Sequence, residues 1–122
     1  MHELAIAEAL LDAVRREMQP YPGARVRAVS VRVGALRQVQ PACLELCFHA
    51  AAADTCADGA ALLIEPVPAR AHCSVCQAEF PVAEEWFECP RCQATSGDLL
   101  AGGEILLTGV EIEAAAVSAG RC

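Results

Sequence analysis

Apolar residues recur every three or four positions near the start of the chain, at Ala7, Leu10, Leu11, Val14 and Met18. Glu8, Asp12, Arg15 and Arg16 fall on the other side. That spacing predicts an amphipathic helix over residues 4–19, because side chains three and four apart share one face. Asp12 and Arg16 add an i, i+4 pair in the favourable order, and Pro20, Pro22 and Gly23 stop the helix. From Val26 to Val33 the period falls to two. Val29, Val31 and Val33 alternate with Ser30 and Arg32, which predicts a half-buried strand ending at Gly34. Pro41 suits the first turn of a second helix running to about Ala53, with Leu44, Phe48 and Ala51 on one stripe. Asp54 to Gly59 is a turn region. Ala61 to Val67 is a short apolar strand closed by Pro66 and Pro68, and Glu104 to Glu113 is a last strand with Leu106, Val110 and Ile112 facing inward.

Helix, strand, helix, strand, insert, strand is an α/β (α+β) order, with two helices packed on a small three-stranded sheet. The insert falls between two strands of that sheet, so it is expected to protrude on a two-strand stalk. This divides the chain into a body of residues 1–68 plus 102–114, a module of residues 69–101 and a frayed tail of residues 115–122.

The insert carries the plainest chemistry. Cys73-Ser-Val-Cys76 is followed after twelve residues by Cys89-Pro-Arg-Cys92. Each C-x-x-C turn aims two sulfurs at one point, and two such turns make a tetrahedral S₄ cage. Zinc there would supply folding energy to a segment with few large side chains beyond Phe80, Trp86 and Phe87, of which Trp86 and Phe87 are expected to form a small core. The same donors also suit a rubredoxin-like iron site.

Composition narrows the function. The 122 residues are 55% hydrophobic, but much of that is alanine and only five side chains are aromatic. The net charge is −7, and the cysteine segment is itself acidic, with Arg70 and Arg91 against Glu79, Glu84, Glu85, Glu88 and Asp98. Such a surface repels phosphate backbones, which argues against a zinc-ribbon module that binds nucleic acid. No apolar run reaches eighteen residues and no basic leader precedes the cysteines, so neither a membrane span nor secretion is expected. Eight cysteines then fit reduced thiols in the cytoplasm. No nucleophile pairs with a base, no phosphate loop is present and a closed Cys₄ site has no open position, so catalysis is not expected.

The amino terminus is a second constellation. The α-amine of Met1, the imidazole of His2 and the first backbone amides lie within chelating reach of one another. With the amides of His2 and Glu3 deprotonated they supply four nitrogens in a plane, a geometry for Ni(II) or Cu(II) and not for zinc. Early helix amides lack intrahelical acceptors, so their use costs no helical hydrogen bond. Glu3 complements the helix dipole and is placed to orient the imidazole. A histidine at position two is also commonly just an exposed residue.

Taken in order, Met1-His2-Glu3-Leu4 with Ile6, Val31-Arg-Val-Gly34, Pro41 with Leu44 and Phe48, Leu62-Leu-Ile-Glu65, the two cysteine pairs and Gly103-Glu104 resemble the HypA/HybF family of hydrogenase nickel-insertion accessory proteins. The resemblance runs nearly end to end. It implies a nickel metallochaperone in which Met1, His2 and Glu3 hold Ni(II) transiently while Cys73, Cys76, Cys89 and Cys92 hold structural Zn(II). It further implies a GTP-hydrolysing nickel accessory protein and the [NiFe]-hydrogenase large subunit as partners, with urease a further client in some organisms. Neither nucleic acid nor membrane is expected as a partner, and the chain is expected as a monomer or weak homodimer.

Several residues stand outside that pattern. Cys43 and Cys47 are four apart on the second helix and could share a soft metal, although cysteines so placed are more often small buried hydrophobes. Cys56 falls in a turn and Cys122 on the tail is expected to be exposed. His49 is expected to cap or solvate its helix, and His72 to be an exposed neighbour of the first cysteine pair.

Overall fold

Helix α1 spans His2–Glu17, two residues earlier at both ends than its periodicity predicts. The computed structural model describes residues 2–82 and 88–113. Met1, Glu84, Glu85, Trp86, Phe87 and Cys122, with the expectations attached to them, lie outside those residues, as does the tail. α1 buries the apolar stripe read from the sequence, and Met18, just past its end, is buried as well. Strand β1 covers Arg25–Gly34. Val29, Val31 and Val33 are buried as expected, but so are Val26 and Ala28 on the other phase. The alternation therefore slips by one between Ala28 and Val29.

A 3-10 turn at Ala35–Arg37 leads to α2, Pro41–Ala52, with Pro41 at its first turn. Leu44, Phe48 and Ala52 are fully buried. The third stripe position is Ala52 and not Ala51, since a run at i, i+4, i+8 follows the side α2 turns toward α1, against which it packs. His49 Nε2 lies 3.1 Å from the carbonyl of Ala60, so this side chain ties α2 to the start of the next strand. Strand β2 covers Ala61–Val67, the bounds read from the sequence, with Pro66 inside it and Pro68 just beyond it.

The cysteine segment forms strands of its own: β3 (Arg70–Cys73), β4 (Glu79–Pro81) and β5 (Gly97–Ala101). The chain then continues into β6, Ile105–Glu113. Two three-stranded sheets result, ordered β2-β1-β6 and β4-β3-β5. β3 pairs antiparallel with both neighbours, with Ala71 opposite Phe80 on one side and Leu99 on the other. β2 and β6 do share a sheet, with β1 between them.

On β6 the inward phase differs from expectation. Leu106 and Ile112 are exposed, while Ile105, Leu107, Gly109 and Val110 are half-buried. Three consecutive apolar residues at 105–107 leave the phase open to sequence, and pairing decides it. Thr108 Oγ1 donates to the carbonyl of Ser30 at 3.1 Å, which marks the register against β1.

Two compact units are distinguished. Among the described residues, one comprises 2–31, 39–64 and 107–113; the other comprises 32–38, 65–82 and 88–106. In the second unit three stretches meet at backbone distance. The Gly34 amide donates to the Glu104 carbonyl at 2.7 Å and the Leu36 amide to the Gly102 carbonyl at 2.9 Å. Gly102 has φ +104, and a Cβ there would fall 2.4 Å from Cα of Ala69.

Candidate metal sites

The two cysteine turns are built alike. The Gln77 amide donates to the Cys73 carbonyl (3.0 Å) and the Cys73 amide to the Ala78 carbonyl (2.8 Å). The second turn repeats both bonds, Gln93 to Cys89 (2.8 Å) and Cys89 to Ala94 (2.9 Å). Gln77 and Gln93 are both left-handed, at φ 66 and 64. The repeated unit is thus Cys-x-x-Cys-Gln-Ala, a longer likeness than the cysteine spacing alone. The left-handed glutamine at the fifth position escaped sequence reasoning, because glycine or asparagine is the usual signal for that conformation.

These turns bring four sulfurs together. Cys73 and Cys92 Sγ are 3.5 Å apart, Cys76 and Cys89 Sγ 3.6 Å, and all four ligand atoms lie within 4.8 Å of one another. Zinc–sulfur bonds of about 2.3 Å in a tetrahedron require sulfur separations near 3.8 Å, so the cage fits zinc with little adjustment. Cys73 and Cys89 are buried beside Phe80 and Ala71, which form the local core.

The electrostatics also favour a cation. The amides of Cys76 and then Val75 point at the Cys73 sulfur and lower its pKa. The Cys92 amide, followed by that of Arg91, holds Cys89 down at about 6. The Ala94 amide pulls Cys92 the same way, but lost hydration and the sulfurs of Cys73, Cys76 and Cys89 outweigh it and push this thiol up to about 12. Four sulfurs this close cannot all ionise unless a divalent ion shares their charge. Among the described residues this is the only group of three or more such ligands that converges, and His72 is not part of it.

At the other candidate site, His2 and Glu3 occupy the first turn of α1. The His2 side chain is 54% exposed, open to an incoming ion. Its Nε2 lies 3.4 Å from Glu3 Oε2, and the same carboxylate oxygen accepts from the Gln40 amide at 3.3 Å. Gln40 is the N-cap of α2 and makes no side-chain cap, but its own amide is held by Glu3 of the neighbouring helix, as the acidic half of a capping box would hold it. The Gln40 amide, then the Glu3 backbone amide, hold the Glu3 carboxyl below its usual range despite its burial. One turn into α2, Cys43 and Cys47 are half-buried. Burial, the Cys47 sulfur and the Glu3 carboxylate push the Cys43 thiol up. Gln40 was not singled out from sequence, since which carboxylate caps a helix across space is not a local pattern.

Residues 1–112 match the family described as hydrogenase/urease nickel incorporation, metallochaperone, hypA. A hydrogenase maturation factor HypA of Geotalea uraniireducens is 38% identical over 113 residues, covering 93% of this chain and 100% of the relative. A factor of the same name from Pelodictyon phaeoclathratiforme is 36% identical, covering 93% and 97%. The solution structure of the Ni metallochaperone HypA from Helicobacter pylori shares the fold, with a TM-score of 0.68 at 16% identity over 92% of this chain and 97% of that one.

Proposed function

The chain belongs to the HypA family of hydrogenase-maturation nickel metallochaperones, and on that premise we propose that it carries Ni(II) on Met1, His2 and Glu3 while Cys73, Cys76, Cys89 and Cys92 keep a structural zinc. The observation that carries the nickel reading is the seating of the His2 imidazole against a carboxylate that is itself fixed. Glu3 is anchored on the amide of Gln40, the N-cap of α2, and meets Nε2 of His2, which leaves Nδ1, the nitrogen nearer the backbone, for a cation.

Loading follows from ligand basicity. Ni(II) displaces protons from the α-amine of Met1 and from early helix amides that have no intrahelical acceptor. The two amide charges balance the dication at the positive end of the helix, where a bare cation is disfavoured. Release follows from exposure: the His2 side chain is more than half exposed, so an incoming ligand set would reach the ion and replace its nitrogens stepwise. Zinc, when bound, supplies fixed charge compensation for four sulfurs and leaves no open position. Its role is to hold the module in one shape. The protein is then a carrier and not a catalyst, acting in the cytoplasm beside a GTP-hydrolysing accessory protein and delivering to the [NiFe]-hydrogenase large subunit, with urease as a further client.

The test is calorimetric titration of Ni(II) into zinc-replete protein with an unblocked Met1, into His2→Ala, and into protein carrying extra residues before Met1. The expected result is binding by the first alone, stronger at higher pH. Equal binding by all three contradicts the reading.

A further inference from the structure

Cys43 and Cys47 take no part in either site described above, yet they sit beside one of them. They lie at i, i+4 on α2, where side chains face the same way with Cβ atoms about 5–6 Å apart. Both are half-buried and neither is in a disulfide. Cys43 stands at the third helical position, one turn above the N-cap Gln40. Glu3 holds the Gln40 amide, three residues before Cys43, and contacts His2. An imidazole and a carboxylate in contact, and two thiols within two turns of the amide that carboxylate holds, thus form a series along one end of the helix pair. They do not converge on one point, for among the described residues only the Cys73 cluster does that. Such a series suits a transfer site better than a resting one.

We infer that Cys43 and Cys47 are a thiolate acceptor pair that takes Ni(II) from the terminal nitrogens, giving a mixed nitrogen–sulfur intermediate on the way to a sulfur-rich acceptor. The inference rests on the nickel reading above. Each thiol loses its proton as its sulfur bonds the ion, and each displaced backbone nitrogen regains one. The exchange therefore balances without a redox partner. Thiolate is the softer donor, and a half-buried pair disfavours water as a competing ligand. The step turns the ion from amide ligation toward the ligand type that a cysteine-rich receiving site offers.

Two readouts on zinc-replete protein with an unblocked Met1 separate this inference from the reading it rests on. Equilibrium dialysis measures nickel uptake, and near-ultraviolet absorption reports thiolate-to-nickel charge transfer. The expected result is uptake with a charge-transfer band that is lost in Cys43→Ser/Cys47→Ser, while uptake and zinc content persist. A second measurement needs no variant. Nickel should slow alkylation of Cys43 and Cys47, mapped by mass spectrometry, in the wild-type chain. Uptake without a band and without protection overturns the acceptor pair and leaves the terminal site standing. A band that survives in the double variant assigns the sulfur to the zinc cysteines and overturns the pair too. No uptake overturns both.

Discussion

Glu3 is the one buried charged side chain among the described residues, and it works in two directions. It holds the Gln40 amide and faces His2, so its removal should loosen a helix start and the proposed nickel ligand together. Partners that orient a ligand typically contribute about 10–100-fold to metal affinity. Glu3→Gln keeps an acceptor for Gln40 but loses the charge, and nickel affinity should fall within that range with little change in thermal stability. Equal losses of both would make Glu3 structural only. Glu104 gives a pH signature of its own. Its backbone amide and that of Gly102, the latter donating to Oε1 at 2.7 Å, hold the carboxyl below its ordinary value of 4.5. A depressed carboxyl contributes stability that is fully present above the unfolded value and lost as pH falls through the folded one. The wild type should therefore melt higher than Glu104→Gln above pH 4.5, and the gap should close on acidification. A gap that widens in acid would contradict this account.

At the scale of elements, the paired turns show how local geometry sets the cage. Gln77 and Gln93 adopt a left-handed backbone that costs an L residue roughly 1–2 kcal/mol. Branching at Cβ worsens that crowding. Gln93→Val should accordingly destabilise the module by about 1 kcal/mol or more, read as faster transfer of zinc to a chelator. An unchanged rate would mean that the turn is held by the metal alone. The meeting of residues 34–36, 69 and 102–104 is tighter still. Gly102→Ala places a Cβ 2.4 Å from backbone in a conformation alanine avoids, and should cost about 1–3 kcal/mol by denaturant unfolding.

The elements were unequally legible in the chain. α1 and α2 could be read because one stripe of each is apolar and prolines mark their ends. The β3–β5 sheet could not. Its strands are three to five residues long, and their order depends on a metal turn and not on alternation. β6 was found but its phase was missed, since Ile105, Leu106 and Leu107 offer either face and cross-strand pairing chooses between them.

At the scale of the molecule, the two candidate sites fall in different compact units. His2, Glu3, Gln40 and the α2 thiols belong to one, and the four clustered cysteines to the other. The zinc cysteines were legible because C-x-x-C places both sulfurs by itself. Glu3 beside His2 was legible too, but the anchor that fixes Glu3 was not, because Gln40 lies thirty-seven residues away in sequence. Nitrogen at the terminus should lend an ion while sulfur in the module retains one. Elemental analysis after dialysis against Ni(II), on zinc-replete protein with an unblocked Met1 and on His2→Ala, tests this most directly. The account predicts full zinc in both proteins and nickel only in the first. Equal nickel in both, or nickel gained only as zinc is lost, would contradict it.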